Sequence, residues 1–289
     1  MKKIDLHLHL SFDSVPKSDT LLVSTYKEML PHLEELGIGK GVLMSSGERN
    51  FSMPMGSNEE NCRIAAADPE HYAWMCNLDY DGNSETVYDR LSACKEKGAV
   101  GIGELMINRR LDDPFLNAVF EAAGKLNLPV TFHMSPETGY SYGVVDAPGL
   151  PLLEACLKRH PHTQFLGHSQ TFWIEMSADA PTDKESRNQW GKGPVIPGGR
   201  VPELFGKYPN LYGDLSANSA GCAIMRDPAF GLEFLETYAD RLFFATDMVN
   251  TKMVFPLGQW LDEQAANGAL SRQAYEKICF KNAQRVFGL

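Results

Sequence analysis

The chain has 289 residues, 43% of them hydrophobic and 22% charged, which supplies enough apolar surface for a large core, and its formal net charge is −10. That balance argues against a nucleic-acid backbone as the main partner. The apolar runs are strand-sized and broken by His, Asp or Glu, so they give no membrane span.

The first run, "KIDLHLHL" (3–10), alternates Ile4, Leu6, Leu8 and Leu10 with Asp5, His7 and His9. This is the period of a strand, and it puts both histidines and the aspartate on one face. "DTLLVSTYKEMLPHLEELG" follows as an amphipathic helix, with Asp19 or Thr20 as N-cap, Gly37 as its stop, and Pro31 implying a kink or two shorter helices. Further strands are expected at "KGVLMSS" (40–46), "YAWMCNLD" (72–79), "AVGIGEL" (99–105), "PVTFHMS" (129–135), "TQFLGHS" (163–169), "NLYGDLSA" (210–217) and "RLFFATDM" (241–248). Helices such as "SETVYDRLSACKEKG", "DPFLNAVFEAAGKLN" and "PGLPLLEACLKRHP" lie between them, opening on Ser or Pro and closing on basic residues, Gly or Asn.

Eight strand–helix units predict a parallel α/β fold, and the number favours a closed (β/α)8 TIM barrel. A doubly wound open sheet would carry a glycine-rich turn after its first strand, and "LSFDSVPKS" is not one. One domain is expected over residues 1–289. Three long loops follow strand C-termini, where barrel enzymes build their sites: "SGERNFSMPMGS", "PETGYSYGVVDAPG" and a lid-like insertion at about 170–200 that carries Trp173 and Trp190.

His7 and His9, Glu104, His133, His168 and Asp247 each fall at or near the end of a strand that otherwise reads as core. A barrel brings such ends to one rim, close enough to share a cation. Burying them together without one would be energetically poor. His32, His71, His160 and His162 lie in helices and turns and read as surface, cap or dipole partners. The six cysteines form no CxxC pair, and no signal-peptide core follows Lys2 and Lys3, so reduced thiols and a cytoplasmic location are expected.

HxH on a first strand, His ending the fifth, His ending the sixth and Asp ending the eighth resemble the amidohydrolase superfamily of metal-dependent barrels. The branch it looks most like is the amidohydrolase-related one that includes aminocarboxymuconate semialdehyde decarboxylase. The likeness runs to the terminal "FKNAQRVFGL", similar to the helix that closes many of these barrels. It implies that His7, His9, His133 and Asp247 hold a divalent cation, most often zinc, with His168 ligating a second cation or orienting a substrate oxygen. Glu104 stands where many relatives carry a carbamylated lysine. It is similar instead to the TatD-like branch, where a glutamate can bridge two metals, so one or two ions are expected.

The chemistry implied is metal-dependent attack of water on an amide, lactone or ester of a small molecule, with Asp247 taking the proton and His168 stabilising the oxyanion. Non-oxidative decarboxylation of a small carboxylic acid is the alternative, and a TatD-like nuclease ranks third. Decarboxylation needs a cation for the carboxylate, and Arg49, Arg109, Arg110 and Arg200 lie in or near rim loops. Trp173, Trp190 and Asp214 join Arg49 and Arg200 as candidate substrate contacts, and Ser216 lies beside Asp214. The expected partner is a small molecule, not nucleic acid or membrane, and assembly into a homo-oligomer stays open. A barrel kept only for binding would lack a ligand, and none is missing.

Overall fold

In the computed structural model, which describes residues 2–14, 22–48 and 56–289, the alternating first run is strand β1 (Lys3–Leu8). Every residue in it is buried, as expected of a parallel strand covered on both faces. Leu6, Leu8 and Leu10 belong to the apolar core, while His7 and His9 meet each other on the opposite face, Nε2 to Nε2 at 3.0 Å. β2 (Ile38–Leu43) and β3 (Tyr72–Trp74) pair in parallel beside β1 to form a first arc.

The second arc is β4 (Ile102–Leu105), β5 (Val130–Ser135), β7 (Phe165–His168), β8 (Leu211–Asp214) and β9 (Leu242–Phe243), again all parallel. The arcs close on each other at two seams. At one, Cys76 bridges Ile102. At the other, Leu6 and His9 donate to the carbonyls of Phe244 and Met248, at 3.1 and 3.0 Å. The result is the distorted (β/α)8 barrel expected, in a single α/β domain.

The ninth described strand, β6 (Val144–Val145), was not expected. It lies inside the loop after β5 and pairs with Met134 and Ser135. A two-residue β-branched run is too short to show a period, so only the fold reveals it.

The first helix differs from expectation too. Asp19 and Thr20 lie outside the described residues. The helix starts at Tyr26, where Thr25 and Glu28 form a reciprocal capping box, and it runs to Glu35 as one element with Pro31 inside it rather than as two helices. The helices at Pro114–Leu126 and Pro151–Arg159 begin with proline, as their sequences indicate. The C-terminal helix Asn282–Phe287 is tied to the barrel by the buried Asn282 amide, which donates to the carbonyls of Ala239 and Leu242 at 2.6 and 2.9 Å. Among the described residues no helix is long and apolar enough to cross a membrane.

The insertion at 170–200 is packed onto the rim. It holds short helices at Gln170–Trp173 and Lys184–Arg187. The buried Arg187 guanidinium donates to the carbonyls of Pro136 and Asp146, at 3.1 and 3.0 Å. Ile196 donates to Ser177 Oγ at 2.9 Å, and Val195 to Asp227 at 3.0 Å, closing the segment on itself and on the N-cap of the helix Pro228–Thr237.

Candidate metal centre

The six rim residues converge. His7 and His9 come from β1 and its end, Glu104 from β4, His133 from β5 and His168 from the last position of β7. Asp247 lies beyond β9, and its N–H donates to the His7 carbonyl at 2.8 Å, so its register is set directly by β1. Its φ is +63°, in the left-handed region that aspartate tolerates better than branched residues do.

Three overlapping trios have donor atoms all within 4.8 Å of one another: His7, His9 and Glu104; His7, His168 and Asp247; Glu104, His133 and His168. Glu104 is shared between two lobes. Its Oε2 faces His7 and His9 (Nε2 at 3.6 and 3.4 Å), and its Oε1 faces His133 Nδ1 at 2.7 Å and His168 Nε2 at 3.5 Å. Asp247 Oδ1 lies 3.5 and 3.4 Å from the same two imidazoles of β1. Four imidazoles and two carboxylates, nearly all buried, are the donor set that zinc or manganese takes, so the residues present fit a divalent cation.

The charges of the cluster shape one another. Burial would raise Glu104, yet hydrogen bonds from His133, His7 and His9 hold its carboxyl well below the usual range. Burial likewise opposes ionisation of Asp247, but the neighbouring imidazoles keep it a carboxylate. His168 is pushed down by burial and by the nearby His7.

Asp214 and Ser216, at and just beyond the end of β8, back two of these histidines. Asp214 is fully buried, and its Oδ2 accepts from His7 Nδ1 at 2.7 Å while its Oδ1 accepts from Ser216 N–H at 3.0 Å. Ser216 Oγ meets His168 Nδ1 at 2.8 Å. A carboxylate on the far nitrogen of a ligating histidine orients the ring and raises its basicity. Asp214→Asn is therefore expected to keep the fold and weaken metal affinity by roughly 10- to 100-fold. Competition against a chelating dye measures this, and an unchanged affinity would remove Asp214 from the centre.

The other candidate substrate residues are placed variously. Trp173 is in the core, 1% exposed, and its Nε1–H donates to the Asp214 carbonyl at 3.2 Å, so it buttresses β8 instead of facing a ligand. Arg200 is engaged by Glu154, by Glu203 at 2.8 Å and by the Gly149 carbonyl at 2.7 Å. Trp190 is half exposed. Arg49 lies outside the described residues. Of the histidines set apart in the sequence, His71 pairs with Asp68 and His32 meets the Met253 carbonyl.

Tyr142 went unnoticed in the sequence. Its ring lies 4.3 Å from that of His133. Gly143 makes this approach feasible: at φ +106° a Cβ would lie 2.6 Å from the His133 carbonyl oxygen. The signal was present in "GYSYG", where glycines flank two tyrosines just after a ligand-bearing strand.

A family model described as amidohydrolase matches residues 4–289. Among solved structures the chain is similar to 2,6-dihydroxybenzoate decarboxylase from Rhizobium, with 17% identity and a TM-score of 0.63 over 99% of this chain and 98% of that one. It is similar also to a dihydroxybenzoic acid decarboxylase from Polaromonas with bound manganese, with 17% identity and a TM-score of 0.60 over 100% and 97% of the two chains. A third is the probable 2-pyrone-4,6-dicarboxylic acid hydrolase of Acinetobacter baumannii, with 12% identity and a TM-score of 0.58 over 100% of both. At these identities the likeness is one of fold. No curated protein is significantly similar in sequence.

Proposed function

Because the chain belongs to the amidohydrolase family, and is a metal-dependent enzyme acting on a small molecule by hydrolysis or decarboxylation, we propose that its reaction is hydrolysis of an amide, lactone or ester. One observation carries this reading. The two oxygens of Glu104 are divided between two pairs of imidazoles, His7 with His9 and His133 with His168. A carboxylate so divided could be shared by two cations, and such a centre would suit hydrolysis at an acyl carbon, where a water must be activated and a carbonyl oxygen polarised. Zinc is the ion favoured by this donor set, with manganese, named for the Polaromonas relative, second.

When bound, the cations supply Lewis acidity and bring the pKa of water to about 7. Asp247, ionised and with its side chain 28% exposed, accepts the proton of the attacking water and passes it to the leaving group. His168 serves in either tautomer. With Nδ1–H donating to Ser216 its Nε2 offers a lone pair, and with Ser216 donating its Nε2–H offers a donor to a developing oxyanion. All six cysteines are free, which supports a reducing, cytoplasmic setting.

The deciding experiment offers zinc-loaded protein a panel of lactones, esters and amides, and in parallel a panel of aromatic acids. A new carboxylate product with no carbon dioxide is the expected result, and carbon dioxide from an acid without hydrolysis would give the reaction to the decarboxylases. Glu104→Gln tests the centre itself. Wild type is expected to bind about two equivalents of zinc and the variant about one, and elemental analysis giving equal content in both would end the bridging role.

A further inference from the structure

A cavity of about 620 Å³ opens on the rim beside the metal centre, between the loops that follow β2, β3, β4 and β5. Its inner wall includes Tyr142, which packs on His133, and Asn77, whose side-chain amide donates to the Glu104 carbonyl. The cavity thus abuts two of the ligands. Tyr80, Tyr140 and Tyr142 line it and are among the few large apolar side chains left exposed in the described residues, at 39%, 37% and 41%. Rings held part-exposed within a concavity are surfaces for a flat ligand to cover.

On the solvent side stands Arg109. Its guanidinium lies 4.6 Å from the centroid of Tyr80, and that ring is held edge-on by Phe115 at 5.3 Å. The Arg109 backbone is fixed as well: its N–H donates to Ile107 at 2.9 Å and its carbonyl accepts from Val145, in β6, at 2.8 Å. Two other candidate arginines are neutralised, Arg110 by Asp112 and Arg200 by Glu154 and Glu203. Arg109 has no carboxylate partner among the described residues. Asp79 also lines the cavity, but its Oδ1 is turned against Gly47.

We infer that Arg109 and the three tyrosines form a carboxylate subsite, so that the substrate is a small planar molecule bearing a carboxylate remote from the bond that reacts. A stacked guanidinium presents its N–H fork in one plane, the geometry that a carboxylate accepts in two parallel hydrogen bonds. The inference deepens the hydrolase reading and rests on it for which end of the molecule meets the cations.

Terephthalate and its monoamide, 4-carbamoylbenzoate, test it. Both offer one carboxylate to the cations, and they differ only in the charge at the far end. Calorimetric titration of zinc-loaded wild type is expected to show terephthalate bound at least about tenfold more tightly, about 1.4 kcal/mol. Arg109→Met is expected to abolish the difference, and Arg109→Lys to keep part of it. The same preference in Arg109→Met, or no terephthalate binding by the wild type, overturns the subsite. Zinc content and ester cleavage recorded on the same samples keep the two claims apart. A protein without zinc or without hydrolysis defeats the reaction proposed above, while the charge preference alone judges Arg109.

Discussion

Asp247→Asn is expected to fold as the wild type does and to lose roughly 10³-fold or more in turnover, within or beyond the range for removal of a general base. Asparagine has nearly the same shape and tolerates the same left-handed backbone, so the N–H bond from position 247 to the His7 carbonyl survives. The change is confined to charge. The amide cannot take a proton from water, and it is a poorer partner for the imidazoles of His7, His9 and His168, which lie 3.4 to 3.8 Å from the native carboxylate. Thermal unfolding monitored alongside kcat separates a chemical loss from a structural one. Activity at the wild-type level in a folded variant would refute the role given to Asp247.

Replacing His7 and His9 together with alanine should do more, emptying the centre and leaving no measurable turnover. Elemental analysis of the purified variant is the direct check, and retention of the wild-type metal content would contradict the assignment of both ligands. The two positions are not equivalent. His7 is fully buried against Asp214, so losing it strands a carboxylate at a cost of about 3–5 kcal/mol. His9 sits at the edge, 9% exposed, with no such partner behind it among the described residues. His9→Asn alone is therefore the variant to trust if the double change fails to fold, and it too should lower metal content.

How legible all this was depends on the distance over which each feature is determined. The face shared by Asp5, His7 and His9 follows from strand period alone, and the rim positions of Glu104, His133 and His168 from the ends of apolar runs. Those features are local. The cap of the first helix was local as well, since Thr25 and Glu28 stand three apart, but the earlier Asp19 and Thr20 drew the boundary too far back. What could not be read is where side chains point once the chain leaves a strand. Trp173 looks like a lid residue in "QTFWIEM", yet it turns inward to β8 because Phe172 and Phe234 give it an aromatic bed, with ring centroids at 5.0 and 6.4 Å. Arg200 and Arg109 look alike in sequence. Only the fold shows that one is engaged by Glu154 and the other, beside Tyr80, has no carboxylate partner among the described residues. Loop side chains are set by partners remote in sequence, so composition alone does not place them.

The two seams of the barrel have a consequence for how the enzyme matures. His7 and His9 belong to the first arc, Glu104, His133 and His168 to the second, and Asp247 to the segment that joins them. A cation held there would tie the two arcs together, and its binding energy would add to the folding energy. Because His7 and Asp247 are 240 positions apart, a chain still short of Asp247 lacks one of the six donors. The full set of six donors is then expected only once both arcs have closed.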